Sequence, residues 1–376
     1  MSVYLDYNAS APILPEVLET MIDVYRNTPG NADSRTHIYG TNAGKLVQNC
    51  RNTIASILNI DSSELIFTSG STESNNTCIL GIEEYALKTG KKHIISTAIE
   101  HKAVLEPLRY LQKKGFRVDY VKPDQSGRID PEELLDLLSN DTVLVSVMFV
   151  NSETGVIQPV DQIGKILKEK EILFHVDATQ AMGKLNPEIR NLSYDMMSFS
   201  SHKIGGPQGI GALVLKRNKQ YKRPPITPLM YGGQQERGFR PGTTPIALVA
   251  GFTKAVELSD KNLEKNMSNC RAIKDSFLSA IKHLPFVING DSHYCLPSTI
   301  NISIDGLDAE AAFLCLGDNY SFSNGSACTS SSHSLSYVLE AMGIDEKRKS
   351  EAIRLSWDGS EKIDFSDFVS IVDSII

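Results

Sequence analysis

The run from Asp195 to Gly211, D-M-M-S-F-S-S-H-K-I-G-G-P-Q-G-I-G, closes a short apolar stretch with hydroxyls, a His and a Lys, then breaks into a Gly/Pro turn. That pattern predicts a β-strand presenting Lys203 at its carboxyl end. Outward from it, residues 64 to 216 alternate apolar runs with helical segments. The runs are E-L-I-F-T-S, K-H-I-I-S-T, R-V-D-Y-V, T-V-L-V-S-V-M-F-V, I-L-F-H-V-D, M-M-S-F-S and G-A-L-V-L-K. Helices are expected over Glu73 to Lys88 and Pro131 to Leu138. The alternation predicts an α/β fold with an open, mostly parallel seven-stranded sheet covered on both faces.

Flanking segments complete the plan. Pro15 to Tyr25 has helical spacing, and a second helix is expected from Gly44 to Leu58. Between them N-T-P-G-N-A-D-S-R-T-H reads either as a capped turn or as a loop lining a site with Asn31, Ser34, Arg35 and His37. A long helix, Ile246 to Arg271 with a break, leads into short strands and helices. The division expected is a large domain, 13–250, and a smaller α+β domain built from 1–12 and 251–376.

A chain of 376 residues with 41% hydrophobic and 22% charged residues can bury a sizeable core. Its net charge of −7 argues against a nonspecific nucleic-acid surface. With no basic-then-apolar leader and no membrane-length apolar run, the expected location is the cytoplasm. The six cysteines are scattered without C-x-x-C pairs or zinc-ligand spacing, so neither a disulfide framework nor a metal site is expected. Most are read as small core residues, including Cys315 in the apolar A-F-L-C-L-G.

In a sheet of this kind ligands sit at the carboxyl ends of the strands. Gly70, His101, Asn151, Asp177 and Lys203 all follow predicted strands, so one crevice can collect them. Gly70, Ser71 and Thr72 begin a helix, where backbone N–H groups favour an anion; an ordinary N-cap is the alternative. Ser200 and His202 add donors from the Lys203 strand end. Asp177, at a buried strand end, requires a cationic partner. Gln180 lies three residues on, and His101 is either a proton-exchanging ring above a ligand or a buried structural His. A cofactor carrying an aldehyde, a basic ring nitrogen and a phosphate needs a lysine, a carboxylate and an anion cradle; pyridoxal phosphate fits.

Two further positions stand out. Cys328, in S-N-G-S-A-C-T-S-S-S-H, precedes a helix expected through Leu335, Val338, Leu339 and Met342 and capped by Ser331 or Ser332. Its Gly/Ser setting ahead of a helix start favours a reactive thiolate. Arg354, in A-I-R-L-S-W, needs either a substrate carboxylate or a protein carboxylate as partner.

Together these segments resemble the NifS/IscS-type cysteine desulfurases of the class V, fold type I pyridoxal phosphate enzymes. The resemblance spans nearly the whole chain, through L-D-Y-N-A-S-A-P, T-S-G-S-T-E-S-N-N, E-H-K-A-V, V-N-S-E-T-G, H-V-D-A-T-Q, S-F-S-S-H-K-I-G-G-P-Q-G-I-G, Q-E-R-G-F-R-P-G-T and G-S-A-C-T-S. It implies that Lys203 holds the cofactor as a Schiff base, Asp177 pairs with the pyridinium and Gln180 with the phenolic oxygen. By the same resemblance Thr72, Ser200 and His202 bind the phosphate, and Ser71 contributes its backbone N–H. Thr243 would reach the phosphate of the other subunit of a homodimer, and Asn151 and Arg354 would hold the carboxylate of L-cysteine. Cys328 would take the substrate sulfur as a persulfide and pass it to an acceptor protein. R-L-S-W-D-G, with Trp357 and Asp358, departs from the family's usual pattern beside Arg354. The chain also ends soon after Arg354, without the extension that docks iron–sulfur scaffolds, which points to a dedicated pathway such as tRNA thiolation or DNA phosphorothioation. The alternatives are a selenocysteine lyase or aminotransferase of the same class, and a catalytically idle sulfur-relay scaffold.

Overall fold

A computed structural model describes residues 2–323 and 336–376. The strands in chain order begin with β1, Val3–Tyr4. The central sheet follows: β2 Leu65–Thr68, β3 His93–Thr97, β4 Arg117–Val121, β5 Thr142–Met148, β6 Leu173–Asp177, β7 Met196–Ser200 and β8 Gly211–Leu215. Its order is β2-β8-β7-β6-β5-β3-β4, with β8 antiparallel to both neighbours and the other pairings parallel. Every residue of β5 is buried, as expected of a parallel strand covered on both faces.

Alternation along the strands divides the apolar side chains between two cores. Phe67, Val145, Val147, Phe174, Val176, Met197 and Phe199 face Ile54, Ile163, Leu167, Phe252 and Val256. Their strand neighbours Ile66, Ile94, Leu144, Met196 and Leu213 face Ile79, Val104, Leu108 and Leu111. Each such side chain contributes about 1.5–3 kcal/mol on burial, and a one-residue slip of any strand would exchange its two sets.

The remaining strands are β9 Phe286–Ile288, β10 Thr299–Ile304, β11 Tyr320–Ser321 and β12 Ala352–Ser356. They form an antiparallel sheet, β12-β10-β9, and a parallel pair, β1-β11. A third core packs Ile300, Ile302, Ile353, Leu355 and Trp357 against Phe277 and Phe368. The amino-terminal segment enters this region beside β12, through an Asp6–Ser356 bridge.

Helix boundaries differ from expectation in instructive places. The second helix runs Ile38–Leu58, starting earlier than Gly44, because the His37 ring accepts from the Gly40 N–H and caps it. His37 at the end of the polar loop thus serves as the cap of this helix. The helix expected over 73–88 is two, Ser71–Gly81 and Glu83–Thr89, and the long one breaks at Asn262 into Ile246–Lys261 and Leu263–Ala280. Ser331, Ser332 and Leu335 lie outside the described residues; the helix there is Tyr337–Ala341, capped by Ser336. Cys315 is exposed rather than in the core. On its helix, Ala309–Leu316, Ala309, Ala312 and Leu316 share the buried face, so Cys315 and Leu314 point to solvent.

Candidate active site

The strand ends converge because all strands but β8 run the same way. Thr68 and Ser200 both pair with Gly211, Asp177 pairs with Ser198 and with Met148, and so β2, β7, β6 and β5 finish on one edge. That edge is a crevice between the large sheet and β12.

One side of the crevice is an anion cradle. Gly70 precedes the helix Ser71–Gly81, and no side chain caps that helix start. A Cβ on Gly211 would lie 2.7 Å from the Gly70 Cα, so the absence of side chains lets the two backbones touch. Ser200 Oγ lies 3.6 Å from where a Gly70 Cβ would stand, which brings its hydroxyl to the same helix start. Ser71 is half-buried there and Thr72 exposed. His202 follows on the next turn, its Nδ1 3.3 Å from Ser10 Oγ. Burial, reinforced by the neighbouring Lys203 charge, pushes His202 down to about 4, so the ring is neutral at physiological pH.

At the centre, Asp177 is buried and accepts from Asn75 Nδ2 (2.7 Å), Thr179 N (2.9 Å) and Thr179 Oγ1 (2.5 Å). Three donors fix the carboxylate, yet among the described residues no cation pairs with it. A protonated pyridine nitrogen would suit such a carboxylate. Lys203 Nζ donates to the carbonyls of Asn8 and Ala9, 2.6 Å each. Gln180 is buried; its Nε2 donates to the same Asn8 carbonyl at 2.9 Å, and its Oε1 accepts from Lys184 Nζ at 3.0 Å. His101 caps the helix Lys102–Lys113, with Nδ1 accepting from Ala103 N at 3.1 Å. This bond places the neutral ring's proton on Nε2. An uncapped helix start with added hydroxyl and imidazole, a buried unpaired carboxylate and a lysine on one edge together fit pyridoxal phosphate.

The opposite wall is built around Arg354 of β12. Arg354 and Ser356 point into the crevice while Leu355 and Trp357 enter the core behind them, and Trp357 also lines a small cavity with Lys203 and Lys184. Arg354 is buried and pairs with Asp6 (2.5 Å) and with the Ser152 carbonyl (3.2 Å), whereas its Nε has no partner among the described residues. The protein-carboxylate partner weighed from sequence is therefore present. Asn151 is buried with its amide committed to its own loop: Oδ1 accepts from Glu153 N and Thr154 N, and Nδ2 donates to the Ile99 carbonyl. Thr243 is exposed, and among the described residues no hydrogen bond or ion pair ties it to this crevice. Cys328 lies outside the described residues.

Several residues of the site went unassigned in the sequence. Asn8 binds Lys203 and Gln180 through its carbonyl, Ser356 Oγ through its N–H (2.9 Å), and Ser152 and Thr299 through its side chain. Asn75 holds Asp177. Glu100 is buried between the ends of β3 and β5, its Oε1 accepting from Thr97 Oγ1 (2.7 Å) and Met148 N (2.8 Å). Burial pushes Glu100 up to about 8, so it is protonated at neutral pH. Glu153, likewise raised by burial, accepts from the Ser336 hydroxyl at the start of the helix Tyr337–Ala341. The only sequence signals for these were an Asn after L-D-Y and acidic residues inside apolar surroundings.

Comparison with known proteins gives a consistent picture. The aminotransferase class-V family profile matches residues 3–356. A mitochondrial cysteine desulfurase of Saccharomyces cerevisiae is 41% identical over 96% of this chain and 73% of its own length. A solved NifS-like protein superposes with a TM-score of 0.91 at 35% identity, covering 100% of this chain and 99% of its own. The structure described as SspA in complex with cysteine gives a TM-score of 0.84 at 34% identity over 96% of this chain and 100% of its own.

Proposed function

We propose, on the premise that the chain belongs to the class V aminotransferase family and is a cysteine desulfurase, that it uses pyridoxal phosphate to move sulfur from L-cysteine to Cys328 and then to an acceptor protein. The observation that carries this is the buried Asp177 carboxylate, held by three donors without a cation, on the strand edge that also presents Lys203 and the uncapped helix start. A relative solved with cysteine supports L-cysteine as substrate.

Bound pyridoxal phosphate supplies an electron sink that acidifies the substrate Cα–H and weakens the C–S bond. In this reading Lys203 would hold the cofactor through its amine and, once released, would move the substrate Cα proton. Asp177 would keep the ring nitrogen protonated, Gln180 would donate to the phenolic oxygen, and His101 would exchange protons through Nε2. Ser71 N–H, Thr72, Ser200 and neutral His202 hold the phosphate. Arg354, with its Nε still to satisfy, takes the substrate carboxylate, and Asn151 shapes the loop whose Ser152 carbonyl braces the guanidinium. The Cys328 thiolate attacks the substrate sulfur; the C–S bond breaks toward carbon, which takes a proton, giving L-alanine and a persulfide with no external oxidant.

Residues 13–250 are proposed as the cofactor-binding domain, and 1–12 with 251–376 as the domain carrying Cys328. Two copies are proposed to assemble so that Thr243 completes the phosphate site of its partner; the exposed Leu229, Met230 and Tyr231 shortly before it are apolar surface such an assembly would cover. Among the described residues no helix is long and apolar enough to cross a membrane, and a cytoplasmic setting is proposed. The sulfur is proposed to serve a dedicated thiolation pathway, of tRNA or of DNA phosphorothioation. The test is L-cysteine-dependent alanine and sulfide formation, with the visible spectrum recorded alongside, for wild type and Cys328→Ala. Loss of sulfide with the spectrum retained is expected. Equal activity of the two proteins would point to a lyase or aminotransferase instead.

A further inference from the structure

Lys184 is a buried-end lysine that the chemistry above does not use. It lies four residues after Gln180 on a helical turn in which the N–H groups of Met182 and Leu185 bond back to the carbonyls of Ala178 and Ala181. Gly183, at φ +75°, completes the turn, and a Cβ there would strike Ile204 Cγ2 at 2.7 Å. Residues four apart on such a turn face each other, and Lys184 Nζ donates to Gln180 Oε1 at 3.0 Å. A cavity of about 70 Å³ lies beside this pair, lined by Lys184, Lys203, Trp357 and Asp358.

The Gln180 amide is thus held from both ends. Its oxygen faces an ammonium and its nitrogen faces the Asn8 carbonyl (2.9 Å), which also accepts from Lys203. Flipping the amide would set N–H against ammonium and oxygen against oxygen, so the two neighbours select one orientation. In that orientation Nε2 keeps one hydrogen without a partner among the described residues.

We propose that Lys184 is a positioning residue: it fixes the Gln180 amide so that this hydrogen points into the crevice, and its charge, relayed through the amide, favours the deprotonated phenolic oxygen of bound pyridoxal phosphate. The inference rests on the cofactor reading above. The charged or titratable groups facing Lys184 are Asp358 beyond β12, Cys270 on the helix Leu263–Ala280 and Lys203 across the cavity, with Tyr7 beside Asp358. Burial, only partly offset by Cys270 and Asp358, pushes Lys184 down to about 8. The relayed charge is therefore present below that pH and fades above it.

The experiment records the visible absorption of cofactor-loaded wild type, K184M, K184Q and K184R across the neutral to alkaline range, with circular dichroism to establish folding. In K184M the pH midpoint of the spectral change should rise by about one unit, a tenfold shift in the proton equilibrium, and K184R should restore the wild-type midpoint. K184Q keeps a donor without the charge and should fall between; it also carries the test if K184M does not fold. A folded, loaded K184M or K184Q with the wild-type midpoint overturns the proposal. Wild type that develops no visible band on loading removes the cofactor reading itself, and the inference with it.

Discussion

Replacing Asp177 with Asn separates the two roles that a buried carboxylate can have. The wild-type carboxylate accepts from Asn75 Nδ2 at 2.7 Å on Oδ2, and from Thr179 N and Oγ1 on Oδ1. In D177N, Oδ1 can keep both Thr179 bonds. The new amide nitrogen would meet the Asn75 nitrogen, but Asn75 Oδ1 is buried without a partner, so a flip of the Asn75 amide turns that clash into a hydrogen bond. The cofactor-free protein should therefore keep its stability to within about 1 kcal/mol, with relief from burying an uncompensated charge offsetting residual strain. Cofactor binding should fare differently. Losing one charge-assisted bond to the ring nitrogen is worth roughly 1.5–3 kcal/mol, a fall in affinity of about ten- to 150-fold. Equilibrium dialysis against pyridoxal phosphate measures the second quantity, and denaturation of the cofactor-free protein the first. Unchanged affinity would refute the assignment of Asp177 to the ring nitrogen. A large loss of stability without cofactor would show that the carboxylate serves the fold.

Two further outcomes follow from buried charges elsewhere. Glu236, in Q-E-R-G-F-R-P-G-T, takes Arg51 through both oxygens (2.6 and 2.8 Å) and accepts from Phe67 N (2.8 Å), while Arg51 stacks over the Phe67 ring. Glu236→Ala strands that guanidinium and should cost about 3–5 kcal/mol in denaturant titrations; a loss below about 1 kcal/mol would mean that Arg51 finds water. Glu100 titrates near 4.5 unfolded but about 8 folded, so between those values the folded state holds a proton that the unfolded state has lost. Stability should decline as pH rises through that window, by several kcal/mol in total, and Glu100→Gln should flatten the decline. Parallel urea profiles for the two proteins across the window would count against a protonated Glu100.

What was legible in the sequence follows from which interactions are local. The seven strands of the main sheet were readable because each is a short apolar run, and alternation of runs and helices fixes a parallel sheet whose strand ends share an edge. Lys203, Asp177 and Gly70 were readable because each interrupts a pattern at a strand end. The helix start at Ile38 was missed because its cap is an imidazole accepting from a backbone N–H rather than a hydroxyl or carboxylate. Cys315 was misplaced because A-F-L-C-L-G is apolar throughout, and only packing decides which face of such a helix is covered. The partners of Asn8 lie 144 to 348 residues away in the chain, so nothing in its own neighbourhood could announce them.

That last residue also explains how a site can depend on two cores that fold around different sheets. The Asn8 carbonyl accepts from Lys203 and Gln180, both at the edge of the large sheet, while its N–H binds Ser356 of β12 and its side chain binds Thr299 of β10. Two residues earlier, Asp6 pairs with Arg354 of the same strand and forms the bridge to Ser356. One short segment thus ties the lysine proposed to hold the cofactor and the arginine proposed to hold the substrate to a common piece of backbone. Movement of β12 relative to the large sheet must strain bonds to Lys203 and Gln180 as well as to Arg354. The geometry on the two walls of the crevice is therefore set jointly, and the chain's first strand and the turn after it belong to the site as much as the residues that carry its chemistry.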